Sequence, residues 1–181
     1  MSSRPMPAKF VASAGSSSAA PERLRYSASL VTQGTHRFFT LTLPSDILAR
    51  TCFVSTRDDD PQQGFQRLLD KRRAQEIADY LDAGLGTIPT SVVLSAQDGT
   101  DFQYIRKTKT IEFTLLRKTF LVIDGQHRVY GFSLAKTALR VPVVIYGGLS
   151  RRDETRLFID INTKQRPVSN ELLLDIKALA E

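Results

Sequence analysis

Apolar and polar residues alternate near the start of the chain in the way that is typical of a β-hairpin. Two β-prone runs, residues 26–32 and 37–43, flank a short loop that contains Gly34, and a glycine supplies the positive φ that such loops require. Pro44 ends the second run, and Ser45 is predicted to cap a short helix after it. The first ordered element is therefore expected to be a hairpin.

Farther along the chain, apolar residues recur with helical spacing in some segments and with strand spacing in others. Residues 67–84 form an amphipathic pattern with a basic first half; its apolar face carries Ala74, Ile77, Tyr80 and Leu81, and Gly84 is placed to end the helix. Four β-prone runs and three helical patterns follow. The predicted strands are 90–96, 110–116, 119–123 and 141–148, and the predicted helices are 127–139, 150–162 and 169–181.

Strands that alternate with helices from residue 70 onward, after an initial hairpin, indicate a mixed α+β fold with helices packed around a sheet. Within it, Ser150 followed by Asp153 resembles a capping box at the start of one helix. Residues 1–23 are rich in Ser, Ala, Pro and Gly and predict a flexible tail. Residues 24–181 are then expected to form a single domain.

Charge and cysteine content narrow the functional classes. Twenty-five Lys and Arg against nineteen Asp and Glu give a net charge of +6, which favours polyanionic partners. Cys52 is the single cysteine, and with only His36 and His127 beside it the sequence offers no zinc-ligand set and no internal disulfide. No apolar stretch is long enough for a membrane span or a signal peptide. We therefore expect a soluble, cytoplasmic protein without a membrane partner.

The segment FLVIDGQHRVYGF, residues 120–132, carries the strongest candidate chemistry. A buried strand that runs through Asp124 and Gly125 into a helix leaves helix N–H groups free to bind an anion, and glycine allows a ligand close to the backbone. Arg128 has a fork suited to phosphate oxygens, and His127 can donate from either ring nitrogen. Asp124 could hold a metal ion or a ribose hydroxyl, or orient the loop. A nucleotide phosphate is the expected ligand.

A purely structural interpretation of the same residues carries equal weight at this point. In that interpretation Asp124 is the N-cap of an Asx-type turn, and His127 and Arg128 are ordinary surface side chains.

A second polar segment, NTKQR, follows the predicted strand 141–148 and the helix after it. Asn162, Gln165 and Arg166 are expected to lie in a loop between two helices, at the same end of the sheet as the DGQHR segment. Side-chain amides there could contact a base or ribose, and Arg166 a phosphate. Taken alone, the segment is more simply a cap and linker.

The DGQHR segment resembles the motif that gives the DGQHR-domain proteins their name, a group that includes the DndB-like proteins of bacterial DNA phosphorothioation systems. The order LVIDGQHR, VPVVIY, INTKQRPVSNEL is also similar to that of the ParB and sulfiredoxin superfamily. The resemblance covers roughly residues 26–175, and Gln66 and Arg67 look like the family's entry to the upstream helix. It implies a ParB/sulfiredoxin-like mixed sheet with packed helices, preceded by the hairpin, and a nucleotide site that includes Gly125 and Gln126.

The sequence departs from that superfamily in two places. Gln126 stands where sulfiredoxin-like proteins carry a nucleophilic cysteine, so thiolate chemistry is not supported, and Cys52 is expected to be a buried structural thiol. The chain also ends at Glu181, before the helix-turn-helix that ParB proteins carry. It is expected to be a truncated or minimal version of the fold.

Three functions remain open. The first is a component of a DNA-modification or phage-defence system that binds ATP or CTP with Mg²⁺ and could hydrolyse it, with Asp124, His127 and Arg128 as catalytic groups and Asp124 on the metal. The second is a DNA-binding regulator. The third is a small-molecule kinase, which needs Glu76 or Asp79 as a base facing the motif. The basic side chains assigned to DNA are Lys71, Arg72, Arg73, Arg151 and Arg152.

Overall fold

The computed structural model describes residues 20–56, 64, 69–84 and 86–164, and within them the chain forms nine strands and four helices. The fold is α+β, as the sequence predicts. The helices are α1 (Ser45–Thr51), α2 (Lys71–Asp82), α3 (Gln126–Leu134) and α4 (Arg151–Lys164). The strands are β1 (Arg23–Ser27), β2 (Ser29–Gln33), β3 (His36–Pro44), β4 (Cys52–Phe53), β5 (Val92–Ala96), β6 (Gln103–Ile105), β7 (Thr110–Thr114), β8 (Phe120–Asp124) and β9 (Arg140–Gly147).

The strands form two sheets. The six-stranded sheet has the order β2-β3-β9-β5-β8-β4 and mixes parallel pairs with antiparallel ones, while the three-stranded sheet has the order β1-β7-β6. The predicted hairpin is present as β2 and β3, but it is part of the main sheet because β3 also pairs with β9. The run expected to be its first strand is divided at Ala28, and β1 pairs with β7 instead.

The hydrophobic core contains buried residues of both sheets and of the helices packed against them. All four residues of β8 before Asp124 are buried, so both faces of the strand are covered. The small sheet covers one side through Phe113, whose ring centroid lies 4.9 Å from that of Phe120. Val129 and Phe132 bring α3 into the same buried cluster. The described helices are each too short or too polar to span a lipid bilayer.

Several details differ from the sequence predictions. Pro44 rather than Ser45 occupies the N-cap of α1, and Ser45 is buried, with its hydroxyl accepting the Leu139 N–H at 3.3 Å. On α2 the buried face carries Ala78, whereas Tyr80 is half exposed, because its ring packs over Gly86 instead of the core. Ser150 does cap α4: Asp153 N–H donates to its hydroxyl at 3.2 Å.

The predicted tail extends too far toward the domain. Arg23 is the first residue of β1, and the carbonyl of Glu22 accepts the Leu115 N–H at 2.8 Å. Residues 1–19 lie outside the described part of the chain, so their assignment to a flexible tail stays a prediction. The last predicted helix, residues 169–181, also lies outside it.

An ion-pair cluster fastens β1 to the small sheet. The carboxylate of Glu112 is buried on β7 and accepts from Arg23 Nε at 3.0 Å and from Arg25 Nε at 2.7 Å. Gln103 of β6 donates to the same carboxylate at 3.4 Å. These contacts, led by Arg23, hold the pKa of Glu112 below its usual value.

We expect Glu112→Gln to remove a pH-dependent part of the stability. A carboxyl whose folded-state pKa is depressed stabilises fully above its unfolded pKa, near 4.5, and loses that contribution as the pH falls through the lower folded value. The difference in unfolding free energy between wild type and variant, measured in urea, should be constant above about pH 5.5 and shrink below it. Glu76→Gln, at an exposed pair, is the control; a difference independent of pH would contradict the assignment.

Candidate functional site

The DGQHR segment lies at the junction of β8 and α3. Asp124 is the last residue of β8, Gly125 is the N-cap of α3, and Gln126 is its first residue. Gly125 has a φ of +99°, a conformation that side chains rarely adopt, and a Cβ there would come within 2.9 Å of the Arg128 guanidinium. Glycine is thus required both by the turn and by the close approach of Arg128.

A β-bulge next to this junction changes the direction of Asp124. Val93 of β5 pairs with Asp124 while the next residue, Leu94, pairs with Val122, so β8 contains one extra residue, Ile123. Bulges of this kind bend a strand and re-aim the side chain that follows. Asp124 can therefore turn toward the helix that begins after it.

Arg128 is the structural centre of the junction. Its Nη2 donates to Asp124 Oδ2 at 2.7 Å, and its Nη1 lies 2.8 Å from both the carbonyl and the hydroxyl of Thr90 and 3.0 Å from the carbonyl of Ser91. Its side chain is only 17% exposed. The guanidinium thereby joins the end of β8 and the first turn of α3 to the segment that leads into β5.

The structural interpretation of the motif is wrong in its particulars. Asp124 does not cap α3, because its carboxylate binds Arg128 and the Gly125 cap has no side-chain hydrogen bond. Arg128 and His127 are not free surface residues: Arg128 is largely buried and His127 is half-buried. The N-cap residue of α3 therefore gives the first turn of this helix no side-chain hydrogen bond.

His127 connects the start of α3 to the start of α2. Its Nε2 accepts the backbone N–H of Asp70 at 3.1 Å. Asp70 is itself the N-cap of α2, where its carboxylate accepts the N–H groups of Arg72 and Arg73 at 3.0 and 3.2 Å. Burial and the nearby Arg73 cation lower the pKa of His127, with Asp70 acting in the opposite direction, and this shift favours the neutral imidazole.

Helices α2 and α3 run parallel and in close contact. Their starts meet at Asp70 and His127, and a Cβ on Gly131 would lie 2.7 Å from Ile77 and 3.0 Å from the Ala74 carbonyl. At the other end, the carboxylate of Asp82 accepts the N–H groups of the two residues that follow α3's C-cap, at 2.9–3.1 Å. Both helix N-termini therefore lie side by side.

The charged side chains at the start of α2 are mainly basic, with the capping carboxylate of Asp70 as the exception. Neither α2 nor α3 has an acidic residue in its first turn, and α2 begins instead with Lys71, Arg72 and Arg73, all exposed. Arg72 forms an exposed ion pair with Glu76 at 3.1 Å, a contact of small energetic value. Two helix dipoles with these cations favour an anion in front of them.

The remaining predicted site residues divide into three groups. Gln66, Arg67, Gln165 and Arg166 lie outside the described residues, so their assignment to a nucleotide stays a prediction. Asn162 was predicted to lie in a loop, but it belongs to the last turn of α4, where its amide donates to the Phe158 carbonyl at 2.8 Å. The helix continues past it to Lys164, and the Thr163 hydroxyl likewise donates to the Ile159 carbonyl at 2.7 Å.

Arg151 and Arg152 form the third group and lie away from the DGQHR junction. β9 runs antiparallel to β8, so α4 begins near Thr119, at the end of β8 opposite Asp124. There Glu154 is buried and binds Gln97 at 2.8 Å and Arg151 at 3.2 Å, while Arg151 also donates to Ser55 at 2.6 Å. β9 thus ends at the end of β8 opposite the DGQHR junction, and α4 follows from there.

The described side chains offer limited support for a metal ion. Across these residues no cluster of three or more His, Cys, Asp and Glu side chains could hold one. Asp124 already binds Arg128 through Oδ2, which leaves Oδ1 as the oxygen that could contact Mg²⁺. One carboxylate oxygen fits a Mg²⁺ ion that is held mainly by phosphates and water. Cys52 is not activated, since burial raises the pKa of its thiol to about 12.

Sequence reasoning missed the partners that fix the site. Asp70 stands immediately before the amphipathic pattern of α2, which is the usual position of an N-cap, so this residue could have been found. Thr90 and Ser91 carry no such local signal, because their role depends on contacts with Arg128 thirty-eight and thirty-seven residues away.

Comparison with known proteins adds a family. The family model described as DndB, DNA-sulfur modification-associated, matches residues 26–176, which include the DGQHR junction, the NTKQR segment and both sheets except residues 23–25 of β1. No curated protein matches the chain.

We expect Arg128→Ala to lower the unfolding free energy by about 2–3 kcal/mol, because it leaves Asp124 and the Thr90–Ser91 carbonyls without their charged donor. Arg128→Lys should recover only part of this loss, since an ammonium cannot span both groups. Arg152→Ala, at an exposed residue of α4, is the control and should change stability by less than about 0.5 kcal/mol. Chemical denaturation of all three variants tests this. An Arg128→Ala protein as stable as wild type would contradict the conclusion that Arg128 holds the β8–α3 junction to the segment before β5.

Proposed function

The chain belongs to the DndB family of DNA-sulfur modification-associated proteins and is therefore a component of a DNA-modification system, in which we propose that it binds a nucleoside triphosphate at the β8–α3 junction. The observation that carries this proposal is the pair of adjacent, parallel helix N-termini at Asp70 and Gly125: the glycine cap of α3 provides no side-chain hydrogen bond, and α2, although capped by the Asp70 carboxylate, begins with three exposed cations. A polyphosphate is the ligand whose charge such a site matches best.

The groups suited to the phosphates are the backbone N–H groups in the first turn of α3, whose glycine cap provides no side-chain hydrogen bond, and the exposed cations of α2. Among these cations, Arg73 lies close enough to His127 to lower the pKa of the imidazole. Gln126, the first residue of α3, and Arg128 remain in the proposed site, but Arg128 acts chiefly through its hold on the turn. ATP or CTP with Mg²⁺ are the ligands to test first.

Binding is better supported than hydrolysis. The proposed catalytic groups Asp124 and His127 each have a protein partner: Asp124 binds Arg128, and His127 accepts from Asp70. A base for activating water would have to be released from such a contact or come from residues outside the described part of the chain. Phosphate release, measured with and without DNA, separates a hydrolase from a passive binder.

Within the described part of the chain, the structure does not place a general base where the kinase alternative requires one, facing the DGQHR turn. Glu76 pairs with Arg72, and Asp79 accepts from Gln75 at 2.8 Å, both on the exposed face of α2. The face that packs on α3 carries Ala74, Ile77 and Ala78 instead. Neither carboxylate is therefore placed to activate a hydroxyl beside the DGQHR turn.

A DNA-binding regulator is the second candidate, and one observation favours it. Lys71, Arg72 and Arg73 form an exposed basic turn that could contact backbone phosphates as well as a nucleotide. Arg151 and Arg152 lie at the opposite end of β8 and would need a separate contact with DNA. A gel shift that weakens steeply with salt, with no triphosphate binding, would favour this candidate.

Titration calorimetry with ATP, CTP and GTP, each with and without Mg²⁺, tests nucleotide binding. We expect Arg73→Glu to weaken binding at least tenfold, because it places a negative charge in front of the phosphates. Its matched control is Arg152→Glu, which changes the net charge equally but lies at the other end of β8, and should have little effect. A Glu in the first turn of α2 also favours the helix dipole, so unfolding would not explain the loss. Equal weakening by both variants would contradict the site.

A further inference from the structure

His127 is the member of the motif whose role can be defined by hydrogen-bond chemistry. A backbone N–H is a donor only, so the Asp70 N–H at 3.1 Å requires that Nε2 of His127 be the acceptor. A neutral imidazole has one acceptor and one donor nitrogen, so the proton must be on Nδ1. The contact thus selects a single tautomer of the side chain.

We propose that His127 is a positioning residue in this Nδ1–H tautomer, and that its Nε2 holds the first turn of α2 beside the first turn of α3 so that both face one phosphate ligand. Proton transfer through Nε2 is then not its role, in contrast to the catalytic assignment that the sequence suggests. The inference rests on the proposed function for its ligand, whereas the tautomer and the contact with Asp70 do not.

The neighbouring contacts show why one hydrogen bond can have this effect. Asp70 is the N-cap of α2 and also fixes Arg72 and Arg73 through its carboxylate, so its backbone position sets where the basic turn lies. The middle and the far end of the helix pair are held independently, by Gly131 against Ala74 and by Asp82 beyond α3. Loss of the His127 contact should therefore loosen the starts of the helices without separating them.

Protonation of His127 would disrupt the arrangement, because two N–H groups would then face each other at Asp70. Burial and Arg73 oppose that protonation by lowering the pKa of the imidazole. The neutral form of His127 is thus favoured in part by Arg73, a member of the basic turn that would attract a phosphate. The Nδ1–H group remains as the donor that His127 can offer to a ligand or to water.

Two substitutions distinguish the ring nitrogens. Glutamine is long enough to place its amide oxygen near the position of Nε2, whereas the shorter asparagine reaches only the position of Nδ1. If Nε2 is the essential atom, His127→Gln should keep ATP affinity within about twofold of wild type. His127→Asn should weaken it about three- to tenfold, the effect of one hydrogen bond.

Nitrogen-detected NMR of the ¹⁵N-labelled, ligand-free chain reads the tautomer directly. We expect an unprotonated Nε2 and a protonated Nδ1 for His127, with His36, exposed at the β2–β3 turn, as the internal reference. A proton on Nε2, or equal affinities of the Gln and Asn variants for ATP, would overturn the proposal.

The readouts also separate this proposal from the proposed function. If the chain binds no triphosphate, the tautomer and the melting temperatures of the two variants still test the His127–Asp70 contact. An Nδ1–H tautomer with His127→Gln more stable than His127→Asn, in a protein that binds no nucleotide, would keep the positioning role and reject the ligand. Nucleotide binding by a chain whose His127 carries its proton on Nε2 would support the ligand and reject the positioning role.

Discussion

The rest of the site depends on the hydrogen bonds and the ion pair that the Arg128 guanidinium makes. It joins elements that are far apart in sequence, the β8–α3 turn and the segment before β5, through one charged pair and three oxygens at 2.8–3.0 Å. Because a buried cation without partners is costly, the surrounding chain is constrained to supply them. Gly125 follows from the same constraint, since a side chain there would collide with the guanidinium.

Once the turn is fixed, α3 must pack against α2 in a parallel direction. Parallel dipoles side by side repel, and the basic first turn of α2 adds to the positive charge at that end. Close packing at Gly131 and the Asp82 contacts offset this cost at the middle and the far end of the pair. At the near end, Asp70 supplies negative charge to α2, while α3 has no capping side chain.

The sequence was most informative where the signal is local. The hairpin around Gly34, strands β5, β8 and β9 of the main sheet, the Ser150 cap and the DGQHR turn follow from periodicity and turn chemistry. The resemblance to DndB-like proteins was confirmed by the family match. Predictions that depended on how distant segments of the chain pack together were less accurate. Asn162 was placed in a loop because no local signal marks the last turn of α4, and Arg151 was grouped with Arg73 although β9 runs opposite to β8.

The same distinction explains the revised roles within the motif. From residue types alone, an Arg and a His beside a glycine turn suggest ligands for phosphate, because the turn's own requirements are invisible in sequence. In the folded chain Arg128 donates hydrogen bonds to Thr90, Ser91 and Asp124. His127 accepts one from the backbone of Asp70. Within the described structure the motif therefore acts largely by positioning the start of α3 beside the basic first turn of α2. In the proposed function, a bound polyphosphate would offset the repulsion between the two helix dipoles.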